Sequence, residues 1–172
     1  MSRLNIQADL RRQLLERGLA APEEIRGLPA DDIARIEQAA GVPLPRAYRE
    51  FLEVAGRGAG VFQRGTSFFG KEIPGLRAFA EALLRNTAPG LRLPDTALVF
   101  AEHGGYQMWF MDTAENQDDP PVYFFIFEKP EFLRIANSFS DYIADSIDVF
   151  VQIQQILRGS SDATPAPLAK ET

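Results

Sequence analysis

At 172 residues and 19.1 kDa the chain is long enough for one hydrophobic core, and its 45% hydrophobic and 24% charged content is that of an ordinary globular protein. The absence of cysteine and the single histidine, His103, exclude disulfides, thiolate catalysis, Cys-based zinc sites and any two-histidine metal site within one chain. The net charge of −6 is unevenly placed: residues 1–95 carry 14 Lys/Arg against 12 Asp/Glu, and residues 96–172 carry 4 against 12, which opposes nucleic acid and favours a basic partner.

No apolar run approaches the roughly 18 residues of a membrane helix. The segment 1-MSRLNIQADLRRQLLERG-18 is amphipathic and charged, unlike a signal peptide. A cytoplasmic location with no membrane partner is the expectation.

In chain order, Ile6, Leu10 and Leu14 repeat every four residues and predict a helix over 4–18. Pro22, Gly27 and Pro29 break the chain, and Asp31 or Asp32 then caps or charges a helix through Ile33, Ile36 and Ala40 that Gly41 ends. Pro43-Leu44-Pro45 is a rigid lead to the next helix, with Pro45 suited to its first position. Tyr48, Phe51, Leu52 and Ala55 form one buried face, and Gly56 stops the helix. A further helix over about 75–87 presents Leu76, Phe79, Leu83 and Leu84. Strands are predicted at 97–101, 106–112, 121–128 and 132–136, with a turn at 103-HGGY-106 and a polar loop at 113-TAENQDDP-120. Ser138 with Asp141 reads as a capping box for a last helix over about 139–158, closed by Gly159. That order is α+β: N-terminal helices, a mainly antiparallel central sheet and a C-terminal helix. Tyr48, Phe51, Leu52, Trp109, Phe124 and Phe139 are its expected core.

The candidate chemical sites are weak. Residues 65-GTSFFGKE-72 match a Gly-x4-Gly-Lys phosphate loop, but Glu72 replaces the Ser or Thr that would hold Mg²⁺, and Pro74 obstructs the helix that should receive the anion. No nucleotide is expected there. The run Gly56-Arg57-Gly58-Ala59-Gly60 follows a helix instead of a strand, so it reads as a C-cap and loop whose arginine touches an anion only in passing. Asp112, Glu115, Asp118 and Asp119 lack the glycine and terminal Glu of an EF-hand. Glu102 and His103, being adjacent, cooperate as an acid–base pair only within a turn. No catalytic residue, metal ligand or cofactor-binding residue is assigned.

Both faces of 121–128 are apolar, with Val122, Phe124 and Ile126 on one and Tyr123, Phe125 and Phe127 on the other. Either helices bury both faces, or one face is an interface. In the second case Asp112, Glu115, Asp118 and Asp119 are a charged rim around Tyr106 or Tyr123.

Ile33-Ala34-Arg35-Ile36-Glu37, Gly41-Val42-Pro43-Leu44-Pro45 and Tyr48, Phe51, Leu52 resemble the opening helices of the SUKH superfamily, which includes the yeast cell-wall-synthesis regulator and many bacterial immunity proteins. The block 98-LVFAEHGGYQMWFMD-112 is similar to that family's strand, Gly-Gly turn and strand ending in Asp, followed by 122-VYFFIF-127 and Ser138-Phe139. Ala55-Gly56-Arg57 departs from the family's Asn-Gly-Gly. The resemblance covers about 30–157; with the helical extension at 1–29 a single domain is expected at 1–158, and the Ser/Pro/Ala composition after it leads to the expectation of a flexible tail at 159–172. The resemblance further implies a non-catalytic protein-binding function, commonly that of an immunity protein neutralising a cognate toxin, often a nuclease. The acidic C-terminal part suits a basic toxin domain. The alternatives are a regulatory scaffold without a toxin partner, and an enzyme or small-ligand protein built on the Glu102–His103 turn. The oligomeric state stays open.

Overall fold

A computed structural model describes residues 4–115 and 118–161. Helix α1 spans Ile6–Glu16, with the Asn5 side chain accepting the Ala8 N–H at 3.1 Å, and buries Ile6, Leu10 and Leu14. It packs on helices introduced below, so the N-terminal segment shares the single core. A two-residue strand β1 (Ile25–Arg26) follows, then α2 (Ala30–Ala40), with Asp31 and Asp32 in its first turn. Gly41 ends α2 at φ 70°, the left-handed conformation that favours glycine.

Helix α3 spans Arg46–Ala55, with Pro45 one position earlier than expected, at the N-cap. Its inner face is the predicted one: Tyr48, Phe51, Leu52 and Ala55 are fully buried. The turn between α2 and α3 is held by Glu37, whose carboxylate accepts the Leu44 N–H at 2.9 Å and pairs with Arg49. That backbone bond, helped by Arg49, lowers the Glu37 pKa from the ordinary carboxylate value.

The glycine run after α3 is not a free loop. Gly58–Ala59 is strand β2, antiparallel to β1. Helix α4 spans Ile73–Thr87 and takes Pro74 into its first turn. Pro74 therefore opens this helix instead of obstructing it, because the first turn has no intrahelical acceptor for an N–H.

The main sheet is an antiparallel meander, β3 (Ala97–His103), β4 (Gln107–Asp112), β5 (Val122–Ile126) and β6 (Lys129–Ala136), in that spatial order. Lys129, Pro130 and Glu131 lie on the edge strand, where charge and a missing N–H discourage further pairing. Trp109 pairs with Phe124 and Met111 with Val122, which places these four on one face. Met108, Phe110, Tyr123 and Phe125 form the other face. There α4 packs beside β3, and Phe132 lies at 5.0 Å from Phe110 and 6.2 Å from Phe125.

Helix α5 spans Phe139–Ser161. Ser138 caps it as predicted, its hydroxyl accepting the Asp141 N–H at 3.0 Å. Gly159 does not close it; a glycine within a helix costs only about 1 kcal/mol. Of the tail expected at 159–172, residues 159–161 belong to α5, and 162–172 lie outside the described residues.

The start of α5 covers only one end of the first sheet face. Met111 and Val122 are fully buried there, whereas Trp109 and Phe124, both expected in the core, are half-buried because α5 has left the sheet at their end. Their places in the core are taken by Phe100, Phe110 and Phe125.

Tyr48 is fully buried, and its hydroxyl has no hydrogen-bond partner among the described residues. Phe51→Ala is expected to cost about 3–5 kcal/mol in chemical denaturation. Tyr48→Phe keeps the ring and removes an unpaired polar atom, so stability should hold or rise by about 1–3 kcal/mol. A loss of stability in that variant would show that the hydroxyl has a partner. Burial also raises the Tyr48 pKa and pushes Tyr142 up to about 12. Unfolded tyrosine ionises near about pH 10. The contribution of these neutral phenols is therefore full below that pH and is lost as pH rises towards 12, a decline that urea titrations should show weakened in Tyr48→Phe.

Candidate protein-binding surface

The six residues proposed from sequence as one partner site fall into three places. Tyr106 follows the Gly104-Gly105 turn, whose φ values are 63° and 80°, and is 38% exposed. Its ring stands edge-on to Phe127 at 6.0 Å. Asp112 ends β4, which starts one residue after Tyr106, and is thus about 20 Å away at roughly 3.3 Å per residue.

Asp112, Glu115 and Tyr123 do come together. Tyr123 stacks on Phe110 at 5.2 Å and donates its hydroxyl to Glu115 at 2.5 Å, while Arg134 stands 3.7 Å from the same carboxylate. Asp112 accepts from the Thr96 hydroxyl at 2.6 Å and the Ala114 N–H at 3.1 Å. The bond to Glu115 holds the phenol protonated and raises the Tyr123 pKa.

Asp118 and Asp119 form the third place, over the starts of two helices. The Asp118 carbonyl accepts the Ala47 N–H of α3 at 2.9 Å, and its carboxylate, 71% exposed, lies 3.7 Å from Arg46. Asp119 is 3% exposed, and its carboxylate accepts the Ser140 N–H of α5 at 3.0 Å. It is not a surface rim residue. The turn needs an acceptor for an otherwise unpaired helix amide, and Asp119 supplies it.

Sequence reasoning missed the open end of the first sheet face. Trp109 and Phe124 sit 4.9 Å apart there, next to half-buried Ile126 and Leu133. Between this end and α5 lies a cavity of about 430 Å³, lined by Gln107, Trp109, Ile135, Tyr142, Asp145 and Val149. Along α5, Val149 and Ile153 continue the exposed apolar surface at 50% and 40% exposure. The signal available in sequence was the apolar character of both strand faces, without a sign of which end stays open.

The chemical candidates separate as well. Glu102 accepts from the Ser67 hydroxyl at 2.6 Å and the Gly105 N–H at 3.2 Å, while the His103 ring lies 3.4 Å from the Thr66 hydroxyl. They form no acid–base pair with each other. In the Gly-x4-Gly-Lys stretch, the Glu72 carboxylate accepts the Phe68 and Phe69 N–H groups at 2.8 and 3.0 Å. The amides that a phosphate would take are occupied by the protein's own carboxylate. Among the described residues, no cluster of three His, Cys, Asp or Glu could hold a metal, and no helix is long and apolar enough to cross a membrane.

Two adjacent aspartates thus make opposite predictions. Asp119→Ala should lower stability by about 1–3 kcal/mol through the lost cap and the stranded amide. Asp118→Lys should change it by less than about 0.5 kcal/mol. Urea denaturation followed by circular dichroism distinguishes them, and equal effects would contradict the placement of the loop.

No curated protein gives a significant match to the chain. A family model described as SMI1-KNR4 cell-wall, SUKH_6, matches residues 30–143, from the first residue of α2 into the first turns of α5. That span holds α2, the Glu37-braced turn, α3 and the whole four-stranded meander. The chain belongs to the SUKH superfamily, within the SMI1-KNR4 cell-wall group.

Proposed function

We propose that this chain is a non-catalytic protein-binding domain, and that it acts as a bacterial immunity protein by covering a basic toxin domain. The observation that carries the binding reading is the half-covered sheet end, where Trp109 and Phe124 lie half-buried next to Ile126 and Leu133. Aromatic side chains with this mix of burial and exposure are typical anchors at the centre of an interface. Asp145 lines the adjoining cavity, and the C-terminal part of the chain has an excess of eight acidic groups, so a basic partner is drawn in electrostatically.

The original six-residue assignment narrows under this reading. Tyr106, exposed at the same end of the sheet but on its other face, remains a contact candidate beside the turn. Asp118 keeps an exposed carboxylate and remains a rim candidate, whereas Asp112 is engaged with Thr96 and Ala114, and Glu115 with Tyr123 and Arg134, adding to the field more than to contact. Asp119 is withdrawn because it is buried. The location consistent with this role is the cytoplasm. A regulatory scaffold without a toxin would use the same surface, and no observation favours it over the immunity reading.

The test is affinity capture from the native organism, followed by kinetics with the captured partner. Tyr106→Ala and Trp109→Ala should each weaken binding at least about tenfold while circular dichroism shows a folded domain. Asp118→Lys should slow association at low salt, with the difference shrinking as salt rises. Partner toxicity abolished by equimolar protein supports immunity. Binding without loss of toxicity leaves the scaffold, and binding indifferent to Tyr106 and Trp109 places the interface elsewhere.

A further inference from the structure

Lys71 and Arg57, which the sequence sets in two unrelated glycine-containing stretches, meet across one cavity. It measures about 540 Å³ and lies between β1, α2, the end of α3 and the start of α4. Its cations are Arg26, Arg35, Arg57 and Lys71, against one carboxylate, Asp32. Asp32 bonds Arg57 at 2.8 Å and also pairs with Arg35. These two bonds, the one to Arg57 foremost, lower the Asp32 pKa, so the carboxylate stays charged and holds both guanidinium groups at the cavity. Each guanidinium has five N–H donors, and most remain unused by Asp32. Arg26 and Lys71 make no ion pair among the described residues.

The floor is apolar: Leu28, Ile36, Phe69 and Pro74. It is also tightly built. The Gly70 N–H donates to the Gly56 carbonyl at 2.9 Å, and a Cβ on Gly70 would come within 2.4 Å of the Leu28 methyl. A cavity of several hundred Å³ with an apolar floor and a few converging polar groups has the form of a small-molecule site. It is too large for an inorganic ion alone. Its formal charge of +3, four cations against one carboxylate, occurs in a chain whose net charge is −6.

We propose that this cavity binds a small aromatic anion, a planar body carrying a carboxylate or phosphate. The planar body lies against Phe69, Leu28 and Pro74, and the guanidinium groups present both faces for stacking and edges for hydrogen bonding. The head group is held by Lys71, Arg26 and the open edges of Arg35 and Arg57. This site is separate from a phosphate loop: Glu72 keeps the loop amides, and Lys71 works towards α2 instead. It is also independent of the partner surface on the sheet.

The experiment uses the full chain, ¹⁵N-labelled, titrated with 2-naphthyl phosphate, 2-naphthoate, neutral 2-naphthalenemethanol and inorganic phosphate. Saturable shifts of the Gly56, Arg57, Gly70 and Lys71 amides with the two aromatic anions are the expected result, and their ranking names the preferred head group. The neutral alcohol and inorganic phosphate should each bind at least about tenfold more weakly, for want of charge or of an apolar body. Arg26→Gln and Lys71→Gln, which break no ion pair, should together weaken 2-naphthyl phosphate about tenfold or more, and added salt should weaken it in the wild type. No saturable shift at millimolar probe, binding of the alcohol as tight as that of the anions, or affinity unchanged in the double variant would each overturn the proposal.

Discussion

Phe139, the first residue of α5, stands edge-on to Phe100 of β3 at 5.4 Å and to Tyr48 of α3 at 5.3 Å. Phe68 closes the group, 5.1 Å from Phe51 and 5.8 Å from Phe100, so sheet, helices and the 60s loop meet in one set of perpendicular rings. Rigid rings in edge-to-face contact fix direction as well as distance. The first turn of α5 is therefore pinned at one end of the sheet. A helix of 23 residues is about 35 Å long, whereas a strand of five to eight residues is about 17–26 Å. Burial along α5 falls accordingly, from Phe139, Ile143 and Ile147 through half-buried Phe150 to exposed Ile153. The open end of the sheet and the cavity beside Trp109 lie where this burial fades.

The same anchoring explains the acidic loop. Two helices start beneath it, each with unpaired N–H groups. The loop meets one with the Asp118 carbonyl and the other with the Asp119 carboxylate. A negative side chain at a helix N-terminus is favoured by the dipole as well as by the bond. Residues that look like solvated charge in sequence are therefore divided between architecture and surface. Asp119 belongs to the first and the Asp118 side chain to the second.

The amphipathic helices were legible in sequence because a 3.6-residue stripe distinguishes inside from outside without tertiary knowledge. Tyr48, Phe51, Leu52 and the Ser138 cap of α5 were read correctly on that basis. Strands apolar on both faces carry no such distinction, and Trp109 and Phe124 were misplaced for that reason. Asp119 was misread because its partner, Ser140, is 21 residues away and no local pattern joins them. The β1–β2 ribbon is two residues long on each side, too short for any period to register. Pro74 was read as a breaker because the helix start was placed two residues late. The basic cavity was invisible for a further reason: its cations come from four chain segments and assemble only through the packing of α2, the ribbon and the start of α4.

The placement of charge also separates the two surfaces. Within residues 1–95 four of the ten cations outside the cavity are matched by carboxylates of the same part: Arg12 with Asp9 and Glu16, Arg46 with Glu50, Arg77 with Glu81, Arg49 with Glu37. Four of the 14 Lys/Arg of that part meet one of its 12 acidic groups at the cavity, so the local charge of +3 exceeds the +2 of the whole part. The segment 63–71 runs between the two regions. Gln63 and Thr66 line the cavity under α5, Phe68 enters the ring cluster, and Phe69 and Lys71 face the basic cavity. Phe68 and Phe69, edge-on at 5.8 Å, divide a side facing the sheet from a basic side. Charges separated by more than about 8–10 Å are largely screened at physiological salt. The basic partner proposed for the sheet and the small anion proposed for the basic cavity would thus meet different residues, of opposite charge.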